Sequence, residues 1–250
     1  MNLQTSQFVE IILNTTSMII SHKYKFIFIK TMKTAGSSLE MYLHPFVGDR
    51  DVVTRLGVAS DNEEATALVQ NCLFSYRLSI FLKLLTFKKG RKALGNYRKH
   101  HYGYFEHMPA WQIKLAVGDE IWNSYFKFCV VRNPYDLTIS HYYFKRKLLN
   151  RNLSFDEYLQ GKVGKNSSIY CEPKTGKVMV DRVLRYEKLN EELADVFGSL
   201  NVPFAGELKV FKKNGYRKDR RPYQEFLNTE QAKRIKEIHA REFELFGYKF

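Results

Sequence analysis

The sequence predicts an α/β fold, a three-layer sandwich around a central, mostly parallel sheet, and three observations carry that prediction. Within Tyr24 to Lys30, the run Phe26-Ile27-Phe28-Ile29 is continuously apolar and β-favouring, as in a strand covered on both faces. Tyr125 to Val131 repeats the pattern. Each run passes through a short loop into a segment of helical character, so the strand-loop-helix unit occurs twice in one chain.

The elements follow in order. The N-terminal apolar stretch, Phe8 to Ile20, is interrupted by Glu10, Asn14, Thr15 and Thr16, and no basic residue precedes it. It reads as neither signal peptide nor membrane span, and the expected location is cytoplasmic. After the first strand, Thr31-Met32-Lys33-Thr34-Ala35-Gly36-Ser37-Ser38 sets small and hydroxylated residues around one lysine, and Leu39, Met41, Tyr42 and Leu43 then begin a helix. Residues 65 to 105 hold eight Lys or Arg and no Asp or Glu. The surrounding segment, about 55 to 99, is expected to form a basic helical insertion with Leu78 to Phe87 as a helix that Gly90 ends. Another helix is predicted from near Pro109.

In the second unit, Arg132-Asn133-Pro134 leads into a helix through Ser140 to Phe144. Asn133 suits the cap, and Pro134 suits the first helical position, where its missing N–H has no partner to lose. Arg185-Tyr186-Glu187 reads as a strand end closed by a structural ion pair. A basic cluster, Lys212 to Arg221, is placed in a loop, and a final helix is predicted over Thr229 to Phe246 with Ala232, Ile235, Ile238, Phe243 and Phe246 inward. No repeat or low-complexity linker divides the chain, and 250 residues suit a single domain, 1–250.

Composition narrows the ligand. Apolar residues make up 44% of the chain, enough for a core, and 40 Lys and Arg against 26 Asp and Glu leave +14. Such a charge favours polyanions, from nucleotides and acidic glycans to nucleic acid and anionic lipid. The three cysteines, Cys72, Cys129 and Cys171, have neither disulfide-framework nor metal-ligand spacing, which points to a reducing compartment.

Two helix N-termini at the carboxyl ends of strands are two places for anions. In the first loop, small residues let backbone N–H groups approach a phosphate, and Lys33 supplies a cation. Gly161-Lys162-Val163 and Gly176-Lys177-Val178 both lack the Gly-x-x-x-x-Gly-Lys-Ser/Thr pattern of nucleoside triphosphatases. A nucleotide kinase is disfavoured on that ground. A nucleic-acid-binding protein would account for the charge and the aromatics but leaves the Arg132-Asn133-Pro134 unit without a purpose.

Taken together, Lys33-Thr34-Ala35-Gly36-Ser37-Ser38 after Phe26 to Ile29 resembles the 5'-phosphosulfate loop of the carbohydrate sulfotransferases, including the bacterial and Golgi-type glycan O-sulfotransferases. Phe126 to Asp136 followed by Ser140 resembles their 3'-phosphate motif. The likeness extends to Ile121-Trp122-Asn123-Ser124-Tyr125, Arg185-Tyr186-Glu187 and Phe243 to Tyr248, and spans most of residues 17 to 250 except 55 to 99. Met32 and Ala35 depart from the proline and second glycine that the family usually carries.

The resemblance implies a P-loop-like sulfotransferase fold and transfer of a sulfuryl group from 3'-phosphoadenosine 5'-phosphosulfate (PAPS) to a hydroxyl, on a carbohydrate, without a metal. It assigns Lys33, Thr34, Ala35, Gly36, Ser37 and Ser38 to the 5'-phosphosulfate, and Arg132 and Ser140 to the 3'-phosphate. Lys33 would stabilise the departing oxygen, as positioned charge does in phosphoryl transfer. A base with a pKa near neutrality is needed for the acceptor, and histidine meets this unperturbed. His107 corresponds to the family's acceptor-activating histidine, with Glu106 as rival. His100 and His101 fall in the basic block, and His141 is expected on the back of its helix. The basic Lys212 to Arg221 loop either closes over the nucleotide, as in related enzymes, or stays solvated. An acidic glycan would suit the positive rim; nucleic acid and a membrane span are not expected.

Overall fold

The computed structural model describes residues 18–53, 104, 107–150, 152–208, 217 and 219–250. The 55–99 insertion, His100, His101, Glu106, residues 212–216 and Lys218 lie outside the described residues.

The chain enters the sheet through β1 (Ile19–Ser21), ahead of the first strand expected from the sequence, and turns back into β2 (Phe26–Ile29). Asp51 holds that turn: its carboxylate accepts from Ser21 Oγ at 2.9 Å, His22 N at 2.6 Å and Lys23 N at 3.1 Å. Helix α1 (Gly36–Leu43) follows the loop, and β3 (Val52–Val53) follows a short 3-10 turn. Beyond the undescribed segment come α2 (Ala110–Val117), α3 (Asp119–Ser124), β4 (Phe126–Val131) and α4 (Pro134–Leu148). Then come α5 (Phe155–Gln160), α6 (Ser167–Tyr170), β5 (Arg182–Arg185) and α7 (Leu189–Ser199). The chain ends in α8 (Tyr223–Phe226), α9 (Thr229–Ile238) and α10 (Ala240–Phe246).

The described strands form a five-stranded sheet in the order β3-β1-β2-β4-β5. β2, β4 and β5 pair in parallel, whereas β1 is antiparallel to both β2 and β3, so four of the five run the same way. The sheet is mostly parallel, with β1 as the reversed strand.

Alternating side chains cover both faces, as strand geometry requires. On one face, Ile27, Ile29, Cys129 and Val131 pack with Ile113 of α2, Trp122 of α3 and Tyr170 of α6. On the other, Phe26, Phe28, Phe128 and Val130 meet Leu39 and Leu43 of α1 and Leu193 and Phe197 of α7. These are the three layers. A separate cluster joins Tyr135, Ile139 and Tyr142 of α4 to Tyr158 of α5, Ile235 of α9 and Phe243 of α10.

The predicted final helix is in fact two. His239, at φ −106° and ψ 26°, leaves the helical region between α9 and α10. It is fully buried, with Nε2 3.2 Å from Thr138 Oγ1 of α4. Phe243 packs in the same cluster as Ile235, whereas Phe246 packs against the sheet-face cluster of Ile27, Val131 and Tyr170.

Candidate active site

Because β2 and β4 are parallel neighbours, with Ile29 opposite Cys129, the loops that leave them emerge side by side. The first begins at Lys30, whose buried ammonium lies 2.8 Å from Glu40 Oε2 and 3.3 Å from Ser37 Oγ. Its aliphatic stem passes under Gly36, where a Cβ would come within 2.7 Å of Lys30 Cγ. A side chain at position 36 would therefore displace the Lys30 stem.

Lys33 and Ala35 both have left-handed backbones, at φ 59° and 62°, with Thr34 between them outside that region. Left-handed residues of this kind are a feature of anion nests, and here they precede a helix whose cap residue has no side-chain acceptor to offer. Ala35 takes the left-handed conformation that a glycine would occupy more cheaply.

The Thr34 hydroxyl is engaged elsewhere. It lies 2.8 Å from Thr31 Oγ1 and donates to the Thr31 carbonyl at 3.2 Å, while Thr31 Oγ1 donates to the Val130 carbonyl. Thr31 thus ties the loop to β4, and Thr34 braces Thr31. Ser38 is buried and Ser37 partly exposed.

The second loop converges on the first. Arg132 donates from Nη1 to the Lys33 carbonyl at 3.2 Å, pairs through Nε with Asp136 Oδ2 at 2.8 Å and also contacts that carboxylate through Nη2. Its guanidinium lies 4.3 Å from the centroid of the Tyr186 ring. Asn133 caps α4 by accepting from Tyr135 N at 3.0 Å, and its own N–H donates to Glu187 at 2.6 Å. Ser140, half-buried, comes one turn after Asp136 on the same side of α4.

The expected Arg185–Glu187 ion pair is not formed. Arg185 donates to the Phe246 carbonyl at 3.4 Å and lies near the Tyr248 ring, while Glu187 is drawn to the Asn133 N–H. The segment underpins the Arg132 loop, a role that strand-end position alone does not reveal.

Part of the basic cluster reaches the same place. Arg217 donates to Asp136 Oδ1 at 2.6 Å, to the Asp219 carbonyl at 2.7 Å and to the Arg221 carbonyl at 2.6 Å. One carboxylate therefore holds two guanidinium groups that are far apart in sequence.

His107 lies in a turn with φ 56°. Its Nδ1 is 3.0 Å from the Lys30 carbonyl. A carbonyl only accepts, so Nδ1 carries the proton and the lone pair of the neutral ring is on Nε2.

His141 is a correction and an addition. It faces the Lys33 side of α4, with Nδ1 2.8 Å from Tyr158 Oη and its ring beside Phe144, over which the Lys33 ammonium lies 4.4 Å from the centroid. Burial, then the charges of Lys33 and Lys145, push its imidazole down to about 4, so it is neutral near pH 7. Among the described residues, no group of three or more His, Cys, Asp or Glu is arranged to hold a metal ion.

No protein-family model matches the chain. A protein of Archaeoglobus fulgidus, described as "Uncharacterized protein", is 35% identical over 108 residues, which are 41% of this chain and 90% of that protein. The chain belongs to the family of that archaeal protein. The chain is also similar to a crystal structure of retinol dehydratase in a complex with retinol and PAP. That alignment covers 100% of this chain and 97% of the other at 11% identity, with a TM-score of 0.41. No described helix is long and apolar enough to cross a membrane.

Proposed function

We propose that this protein is a PAPS-dependent O-sulfotransferase acting on a carbohydrate hydroxyl, with an acidic glycan best suited to its positive rim. The observation that carries the reading is the 3.2 Å hydrogen bond from Arg132 Nη1 to the Lys33 carbonyl, which joins the two cationic strand-end loops. A nucleotide phosphorylated at both ends needs two anion sites within the span of one molecule, and the adjacency of the two parallel strands supports that reading.

In this reading the N–H groups from Thr34 to Ser38 and the Ser37 hydroxyl hold the 5'-phosphosulfate, with Ser38 at the buried edge. Arg132 and Ser140 hold the 3'-phosphate, and Arg217 closes on it from the basic loop. The sulfuryl group leaves the phosphate oxygen as its S–O bond breaks, and a new S–O bond forms to the acceptor oxygen. Lys33 meets the negative charge that develops on the departing phosphate, an interaction that strengthens in the transition state. His107 accepts the acceptor's proton at Nε2, since Nδ1 is committed to the Lys30 carbonyl. The products are adenosine 3',5'-bisphosphate and a sulfate ester.

The test compares binding of adenosine 3',5'-bisphosphate with ATP and single-stranded RNA, followed by labelled sulfate transfer onto a panel of glycans. The bisphosphate should bind tightest, and Lys33→Ala should lower kcat on the order of 100-fold or more with nucleotide affinity changed only a few-fold. Preference for ATP or RNA would end the proposal, and equal losses in kcat and affinity would remove Lys33 from the transition state.

A further inference from the structure

Asn166 is 1% exposed, yet its carboxamide serves neither its own helix nor solvent. Oδ1 accepts from Met32 N at 2.8 Å, and Nδ2 donates to the Met32 carbonyl at 3.0 Å, across 134 positions of chain. One side chain thus grips both polar groups of the residue before Lys33, in the manner of a strand neighbour. We propose that Asn166 is a positioning residue for Lys33, a role that rests on the sulfotransferase reading above.

The Met32 carbonyl belongs to the peptide bond that leads into Lys33, so fixing it fixes the plane from which Lys33 departs. Lys33 has φ 59°, a conformation that a lysine keeps only where its surroundings impose it. The segment around Asn166 is suited to that task. At Gly164 a Cβ would come within 2.6 Å of Met32 Cε, so the missing side chain leaves room for Met32 to lie against this segment.

Behind Asn166, Ser167 N donates to Glu242 Oε1 at 2.8 Å. Burial alone would raise the Glu242 carboxyl, but His239, 3.8 Å away, and the Ser167 N–H outweigh it and hold the group below its usual value. The break between α9 and α10 is therefore connected through Glu242, Ser167 and Asn166 to the peptide that presents Lys33.

Two substitutions separate positioning from mere support. Asn166→Ala removes both hydrogen bonds. Asn166→Asp leaves an acceptor for Met32 N but, when ionised, turns an oxygen toward the Met32 carbonyl; a neutral carboxyl would restore a donor there. With folding checked by circular dichroism, three readouts are taken: amide exchange at Met32, kcat for labelled sulfate transfer, and affinity for adenosine 3',5'-bisphosphate. Asn166→Ala should speed exchange at Met32 and lower kcat on the order of 10- to 100-fold, with affinity changed less than about 3-fold. The kcat of Asn166→Asp, divided by that of the parent at each pH, should rise as pH falls.

If the parent neither transfers sulfate nor binds the bisphosphate, the sulfotransferase reading falls and takes this role with it. If the parent is active and Asn166→Ala keeps parental kcat while Met32 exchange accelerates, the positioning role alone is overturned. A flat Asn166→Asp ratio across pH would count against it in the same way.

Discussion

Burial pushes the His141 imidazole down to about 4, against 6.5 for the unperturbed ring, and Lys33 and Lys145 add to the effect. Between those values the unfolded chain binds a proton that the folded chain refuses. The contribution of His141 to stability is therefore complete above about pH 6.5 and declines as the pH falls toward about 4, by roughly 2 kcal/mol at pH 5. Denaturant unfolding at pH 7 and pH 5 should show that loss in the parent protein and a smaller one in His141→Gln; identical acid slopes would mean that another group carries the dependence. His141 also marks a limit of reading one helix from its sequence. Helix α4 is buried on one side by the cluster of Tyr135, Ile139 and Tyr142, and on another by the Lys33 loop through His141 and Phe144. Periodicity identifies the first face, but the second depends on where a distant loop lands. The Thr34 hydroxyl shows a related limit, since its partners, Thr31 Oγ1 and the Thr31 carbonyl, depend on how the loop folds.

Between elements, the contact most exposed to disruption is the Lys30–Glu40 pair, which fastens the end of β2 to α1 at 2.8 Å with side chains only 4% and 3% exposed. Two charges withdrawn this far from water are tolerated because each neutralises the other. Glu40→Gln should cost on the order of 3 kcal/mol or more by removing the carboxylate charge beside the buried ammonium, whereas Lys30→Met with Glu40→Leu together should cost much less. Urea denaturation of the three proteins decides it, and a Glu40→Gln loss no larger than that of the double variant would contradict the account. The units β2-α1 and β4-α4 were legible because a continuous apolar run is a strong strand signal, and because Asn133-Pro134 is a strong helix start. Edge elements were less so. Val52–Val53 is too short for a period to appear, and Ile19–Ser21 is defined chiefly by pairing with β2 and β3. The end of α9 at His239 is set by its contact with Thr138, which no local pattern announces.

At the scale of the molecule, the net charge of +14 favours any polyanion, so selectivity has to come from where the cations are gathered. Arg132 and Arg217 meet on Asp136, whose carboxylate is 26% exposed between guanidinium groups that are 15% and 21% exposed. With both arginines present, one carboxylate leaves a surplus positive charge for a bound phosphate. Removing either leaves a neutral pair, and removing both leaves an anion facing the ligand. Each single alanine variant should therefore weaken adenosine 3',5'-bisphosphate by roughly 10-fold, in keeping with one charge-assisted hydrogen bond. The double variant should lose more than the product of the two, because Asp136 then repels what it had helped to attract. Adding Asp136→Asn to the double variant should recover that excess, and calorimetric titration at two salt concentrations would show the recovered part to be the more salt-sensitive. Multiplicative losses with no recovery would mean that the two arginines act on separate groups, and that their meeting on Asp136 only secures the loop.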